Sequence, residues 1–296
     1  MPQKVDTRNK TVESYVNGKF VAFGEPAIAV RDSGFLHGAQ AWSSPRLVNE
    51  RIFQLELHLK KIRDTAEMNF FPVIPSDEEI ITAIKGTLQH NNMTDGVHIR
   101  VILTAGTQFT ASMSIDCVCD WNHKPVPPTL IIDPEYRPMV YDAEHGLKLM
   151  TSKYLSPEPH IVDKRSHDNN QRDRARACYE AKNAGFDAAV LYGTDGFLAE
   201  AHASHMAIVK DGEVKTPFVK CCPDGITRKM VLLLCKENNI SSTEADITKE
   251  EVESADELIV MGTMSSPVGA VQLDDIIYNG GKVGPLTKRI LSLIHI

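Results

Sequence analysis

A surplus of positive charge is absent from this chain: 32 Lys and Arg stand against 39 Asp and Glu, a formal net charge of -7 over 296 residues. That balance leaves no electrostatic footprint for nucleic acid and no cationic face for a membrane surface. Also absent is any run of about eighteen apolar residues, the minimum for a membrane-spanning helix. The opening Met1-Pro2-Gln3-Lys4-Val5-Asp6 lacks the apolar core of a secretion signal, so a cytoplasmic location is expected. Neither internal repeats nor low-complexity tracts occur. Cysteine is sparse, six in all, and Cys117-Val118-Cys119 and Cys221-Cys222 are spaced too closely for easy disulfides or a zinc knuckle. They read as reduced, structural thiols.

What remains is an ordinary globular composition in a chain long for one hydrophobic core and comfortable for two. Asn17-Gly18 between Tyr15-Val16 and Phe20-Val21 predicts a hairpin, as does the span from Pro45 to Phe53. Ala27-Ile28-Ala29-Val30 reads as a strand, followed by a loop carrying Gly34 and Gly38. Leu55, Leu59, Ile62 and Ala66 recur at helical spacing, and Ser76 followed by Glu79 is a capping box that opens another helix. Alternation from Val97 to Leu103, and again around Ile115 to Val118, predicts strands. The N-terminal domain, residues 1–133, is therefore expected to be α+β.

Two prolines and no periodicity mark residues 134–142 as an interdomain linker, with a larger C-terminal domain over residues 143–290. There, Leu147 to Met150 reads as a strand. Residues 171–184 read as a helix with an Arg176/Glu180 pair, closed by Gly185. Hairpins turn at Gly193-Thr194-Asp195-Gly196 and at Asp211-Gly212. Asp224-Gly225-Ile226-Thr227-Arg228 leads into a helix, and Leu258 to Thr263 is a buried strand ending in a Gly-Thr turn. The last residues, 291–296, read as a non-native tail.

Five pieces in this order, Tyr15-Val16-Asn17-Gly18, Phe53-x-Leu55-x-x-His58, Asp224-Gly225-Ile226-Thr227-Arg228, Ala255-Asp256-Glu257 leading to Gly262-Thr263, and Gly284-Pro285-Leu286-Thr287-Lys288, resemble the class IV aminotransferases. That group has the D-amino-acid aminotransferase-like fold type IV and includes branched-chain and D-amino-acid aminotransferases, (R)-amine transaminases and aminodeoxychorismate lyase. The resemblance implies pyridoxal 5'-phosphate (PLP) as cofactor, an amino acid or amine and a 2-oxo acid as substrates, and a homodimer with sites at domain and subunit interfaces. It also implies site roles. Ile226 and Thr227, at a helix N-terminus, match phosphate-binding positions, as do Thr263 and Arg46. Glu200 matches the carboxylate that keeps the pyridine nitrogen protonated.

The catalytic lysine is where the resemblance fails. Counting back from Glu180-Ala181 and Gly185, and forward from Val162-Asp163, places His167 at its position, while a one-residue-longer spacing selects Ser166. Lys164 lies three residues earlier, an odd offset that on an extended segment points to the opposite face and displaces the side chain by about 10 Å. Lys164 serves only if that segment slips or bulges. Imidazole cannot make the covalent link to an aldehyde, but it can shuttle protons beside a cofactor held non-covalently. Other departures are Trp42-Ser43-Ser44 for Phe-Glu-Gly, Ser204-His205-Met206 after the glutamate, and Gln171 in place of a tyrosine. His37, His167, His202 and His205 are scattered, satisfied histidines on the plainer reading and a repurposed, even metal-binding, pocket on the sharper one; no metal ligands are assigned. The alternative function is a relative without the lysine, adapted to PLP-independent catalysis or ligand binding.

Overall fold

Asn17 and Gly18 both take positive φ, 44° and 89°, and this two-residue turn joins β1 (Glu13–Val16) to β2 (Lys19–Ala22) with Val16 opposite Lys19. Asn49 and Glu50 make the equivalent turn between β4 (Arg46–Val48) and β5 (Arg51–Ile52). In this computed structural model residues 6–294 are described. With β3 (Gln40–Ser43), β6 (Val97–Thr104) and β7 (Leu130–Tyr136), these strands form a seven-stranded sheet in the order β2-β1-β7-β6-β4-β5, with β3 also on β6. Helix α2 (Leu55–Met68) buries Leu59, Ile62 and Ala66, the face predicted from their spacing. Helix α3 (Asp77–His90) begins at Ser76 with both hydrogen bonds of the capping box.

Four expectations for this region change. Residues 27–30 form no strand: they follow Pro26, are exposed and pair with no strand of the sheet. The loop after them contains a short helix, α1 (Ser33–His37), because Asp32 caps its first amide groups and Gly38 closes it in the left-handed region. Residues Ile115–Cys117 are a 3-10 turn capped by Ser114 instead of a strand. Residues 134–136, expected in the linker, complete β7, where Pro134 lies opposite Ile99.

The described residues pack as two compact units, one made of those up to Pro138 together with Ser166–Asn170, the other of Met139–Arg165 and those from Gln171 to Ile294. The second unit holds a nine-stranded sheet. Its strands are β8 (Leu147–Thr151), β9 (Ala188–Tyr192), β10 (Leu198–Ala201), β11 (His205–Lys210), β12 (Glu213–Pro217), β13 (Ser242–Ala245), β14 (Glu257–Gly262), β15 (Ser266–Leu273) and β16 (Ile276–Ile277). The order is β10-β9-β8-β15-β14-β11-β12-β13, with β16 on β15. Helices α4 (Arg172–Asn183), α5 (Ile226–Glu237), α6 (Lys249–Glu253) and α7 (Pro285–Leu293) complete it. Strands β9 and β14 are apolar and buried nearly throughout, as central strands covered on both faces must be.

Two of the motif pieces explain each other here. Glu257, at the start of β14, accepts hydrogen bonds from the amide groups of Leu286 and Thr287 and from the Thr287 hydroxyl, so it caps α7. A side chain on Gly284 would fall 2.0 Å from that carboxylate, so glycine is required beside it. On α4, Glu180 turns to Ser152 and Lys153 and not to Arg176, which lies over the Tyr154 ring. Residues 291–293 of the suspected tail continue α7; residues 295–296 fall outside the described residues.

Candidate active site

Helix α4 turns Arg174, Ala177 and Ala181 inward on one face, at helical spacing. The two alanines pack on β9, and the arginine at the helix start reaches Glu200 on β10, forming a buried ion pair. Glu200 is 4% exposed, and burial drives its carboxyl pKa up to about 7, with Arg174 opposing the shift, Asp173 adding to it and Lys164 opposing it. Its Oε1 meets the guanidinium as an ion pair without a well-directed hydrogen bond. Lys164, 4% exposed, donates from Nζ to Asp173 Oδ1 at 2.7 Å, while Asp173 Oδ2 is buried without a hydrogen-bond partner. Lys164, Asp173, Arg174 and Glu200 thus form one buried charge cluster.

The reversal after β10 is tight, with Ala201 and Ser204 exchanging backbone hydrogen bonds of 2.8 and 3.3 Å. Glu200 and His205 therefore flank this reversal on its two sides. The His205 ring lies against Gly225, where an added Cβ would come within 2.2 Å of it, so only glycine admits the ring. Gly225 is also the N-cap of α5, which has no side-chain cap and no acidic residue in its first turn; its leading amide groups are open to an anion. Ile226 and Thr227, both buried, occupy that turn. The arginine of the same motif serves the fold: Arg228 donates to Thr216 Oγ1 and the Pro217 carbonyl and pairs with Glu244. At the end of β14, Gly262 sits beside Ser204, which brings half-buried Thr263 to the same end of the sheet. Cys222, 1% exposed, completes the neighbourhood; burial pushes its thiol pKa up, and the charge of Glu200 pushes it further.

Arg46 and His167 belong to the other unit. Arg46, on β4 opposite His98, is buried, which lowers its pKa. Around His167, Trp42 donates its backbone amide to the His167 carbonyl (3.1 Å) and its indole Nε1 to the Asp168 carbonyl (3.0 Å). His167 in turn donates Nδ1 to the Trp42 carbonyl at 2.6 Å, and its amide to Thr65 Oγ1. A carbonyl can only accept, so Nδ1 carries the proton. Segment Ser166–Asn170 is thereby laced along β3. Ser43, in the altered Trp42-Ser43-Ser44, shares a 2.7 Å hydrogen bond with His58 Nδ1.

Of the scattered histidines, His37 is exposed at the end of α1, and His202 accepts from the Ala189 amide through Nδ1, its pKa lowered by burial to about 4. Only His205 joins other metal-ligating groups among the described residues, with Glu200 and Cys222. Sequence reasoning missed Asp173, Arg174 and Cys222. The signals were a dense charge triplet, Arg172-Asp173-Arg174, opening an otherwise alanine-rich helix, and a cysteine two residues before the Asp224-Gly225 motif.

The profile of the amino-transferase class IV family matches residues 44–272. Branched-chain-amino-acid aminotransferase-like protein 2 of Arabidopsis thaliana is 34% identical over 95% of this chain, which spans about half (49%) of that protein's length. A putative branched-chain-amino-acid aminotransferase of Methanocaldococcus jannaschii is 28% identical over 93% of each chain. Among solved structures, the branched-chain amino acid aminotransferase of Escherichia coli superimposes with a TM-score of 0.86 at 24% identity, covering 95% of this chain and 92% of that one. The T.th. branched-chain amino acid aminotransferase, complexed with N-(5'-phosphopyridoxyl)-L-glutamate, gives 0.84 at 21% identity, covering 98% and 93%.

Proposed function

The chain belongs to the class IV aminotransferase family, and on that premise we propose that it moves an amino group between an amino acid or amine and a 2-oxo acid, using PLP, with Lys164 as the amine beside the cofactor. The observation that carries this reading is the burial of Lys164 in the field of Glu200, in the same unit as the open start of α5. The residues fit the group. Uncapped amide groups at Ile226 and Thr227 suit a phosphate, and the buried Glu200 carboxylate would suit a pyridinium N–H once its Oε1 is released from Arg174. Thr263 and Arg46 are proposed as further phosphate partners. When bound, the cofactor supplies an electron sink that stabilises a carbanion.

The chain's own residues would then divide the work. Asp173 Oδ1 holds the Lys164 ammonium and is placed to take its proton. Arg174 holds the Glu200 carboxylate in a buried ion pair and would have to give way for that carboxylate to hold a pyridinium N–H. His167, bound to Trp42 through both backbone and ring, fixes the segment that follows Lys164. The contrary assignment, His167 in the lysine's place and PLP held non-covalently, remains an outcome of the labelling experiment below. A cytoplasmic homodimer is the proposed assembly, to be checked by light scattering.

A second reading is favoured by one observation: Glu200 already has a buried cation in Arg174. On that reading the site has given up PLP for cofactor-independent catalysis or ligand binding. Titrating the purified chain with PLP separates the two. A saturable bound absorption band that is bleached by an amino donor and restored by a 2-oxo acid supports amino transfer, whereas no band at saturating PLP leaves the second reading.

A further inference from the structure

We propose that Glu200, His205 and Cys222 form a binding site for one divalent transition-metal ion of the zinc type. Their ligand atoms all lie within 4.8 Å of one another. A tetrahedral ion with oxygen, nitrogen and sulfur ligands at about 2.0, 2.1 and 2.3 Å sets them roughly 3.3 to 3.8 Å apart, so side-chain rotations of about 1 Å close the set.

Two stretches of chain, 200–205 and 221–225, deliver these groups. The 201–204 reversal brings Glu200, near the end of β10, and His205, at the start of β11, to its two flanks. Glycine at position 225 leaves the space the imidazole fills. The backbone of Cys221 is pinned by a 2.7 Å hydrogen bond from Ser156 Oγ to its carbonyl, which fixes where its neighbour Cys222 points. Cys222 is a free cysteine with no disulfide partner, and Glu200 has a second carboxylate oxygen besides the one that faces Arg174. An arginine bonded to a ligating carboxylate is the kind of outer contact that orients a metal ligand.

The chemistry selects the ion. Thiolate, imidazole and carboxylate together suit Zn2+ or Co2+, and not Ca2+ or Mg2+, which need oxygen ligands. Without an ion, burial and the neighbouring Glu200 keep the Cys222 sulfur protonated. Binding displaces that proton, so the ion meets a thiolate and a carboxylate and keeps a fourth position for water or a ligand oxygen. Because Glu200 is common to both, metal and cofactor would occupy this place alternately; the metal site itself does not rest on the amino-transfer reading.

Titration of the chelator-treated full-length chain with Co2+ tests it, read by the thiolate-to-cobalt charge-transfer and d–d bands with no PLP present. One equivalent should develop both bands, and Zn2+ should displace it. Cys222→Ser should abolish the charge-transfer band, and His205→Asn, which keeps the ring's approximate shape, should weaken binding at least tenfold; circular dichroism verifies that each variant is folded. No charge-transfer band at one equivalent, or bands equal to the parent's in whichever variant folds, would overturn the proposal and place any bound metal elsewhere, for instance at Cys117 and Cys119. Whether PLP binds does not enter this readout, so the two claims fail separately.

Discussion

His58 is 2% exposed, shares a hydrogen bond with Ser43, and is driven by burial to a pKa of about 3. Its folded value lies below its unfolded value near 6.5, so the unfolded chain binds the proton more readily. The stability contributed by neutral His58 is complete above about pH 6.5 and declines as pH falls toward 3. At pH 4.5 the loss is roughly 2.7 kcal/mol, two units at about 1.36 kcal/mol each. Glu200 acts in the opposite sense: with a pKa raised from 4.5 to about 7, its contribution is present below 4.5 and is lost as pH rises to 7. Urea unfolding of the parent and of His58→Gln at pH 7 and 4.5 isolates the histidine. The variant should lose about 2 to 3 kcal/mol less on acidification, and an equal loss in both would contradict a neutral, buried His58. The sequence marked His58 through its motif; that Ser43 is its partner became visible only when β3 and α2 packed. His167 and Lys164 teach the same lesson. Counting along the chain places His167 at the lysine position, yet packing groups it with Trp42 and groups Lys164 with Glu200.

Elements defined by local chemistry were legible. Two-residue turns at Asn17-Gly18 and Asp211-Gly212, the capping box at Ser76, and the glycine after α4 appear where their residues predict. Residues 27–30 and 115–118 carry the apolar pattern of strands but find no partner, and strand identity is settled by pairing more than by propensity. Glu257 and Gly284 stood out as motif residues, and their task proves to be capping α7. Gly225 is different, since its glycine serves both the start of α5 and the ring of His205. Gly225→Ala drives a methyl group into that ring and should lower stability by about 1 to 3 kcal/mol. Adding His205→Ala should return most of that loss, a coupling measurable by a double-mutant unfolding cycle. Additive losses would mean the ring and the helix start are independent.

At the scale of the whole chain, the residues singled out from the family resemblance are divided between the units: Arg46 lies in the first, and Lys164, Glu200, Ile226, Thr227 and Thr263 lie in the second. The α+β, fold type IV architecture was readable from motif order, and the solved structures agree with it; its division into two sheets was not. That Ser166–Asn170 packs with the first unit while its flanks pack with the second was not readable, because those five residues show no period and their attachment depends on Trp42 and Thr65, far away in sequence. The amine next to Glu200 is the central claim, and borohydride reduction of the PLP-loaded chain followed by peptide mapping addresses it directly. The account predicts one phosphopyridoxyl group per chain, fixed on Lys164 and lost in Lys164→Ala; cofactor that washes away unlabelled, or a label on another lysine, would contradict it.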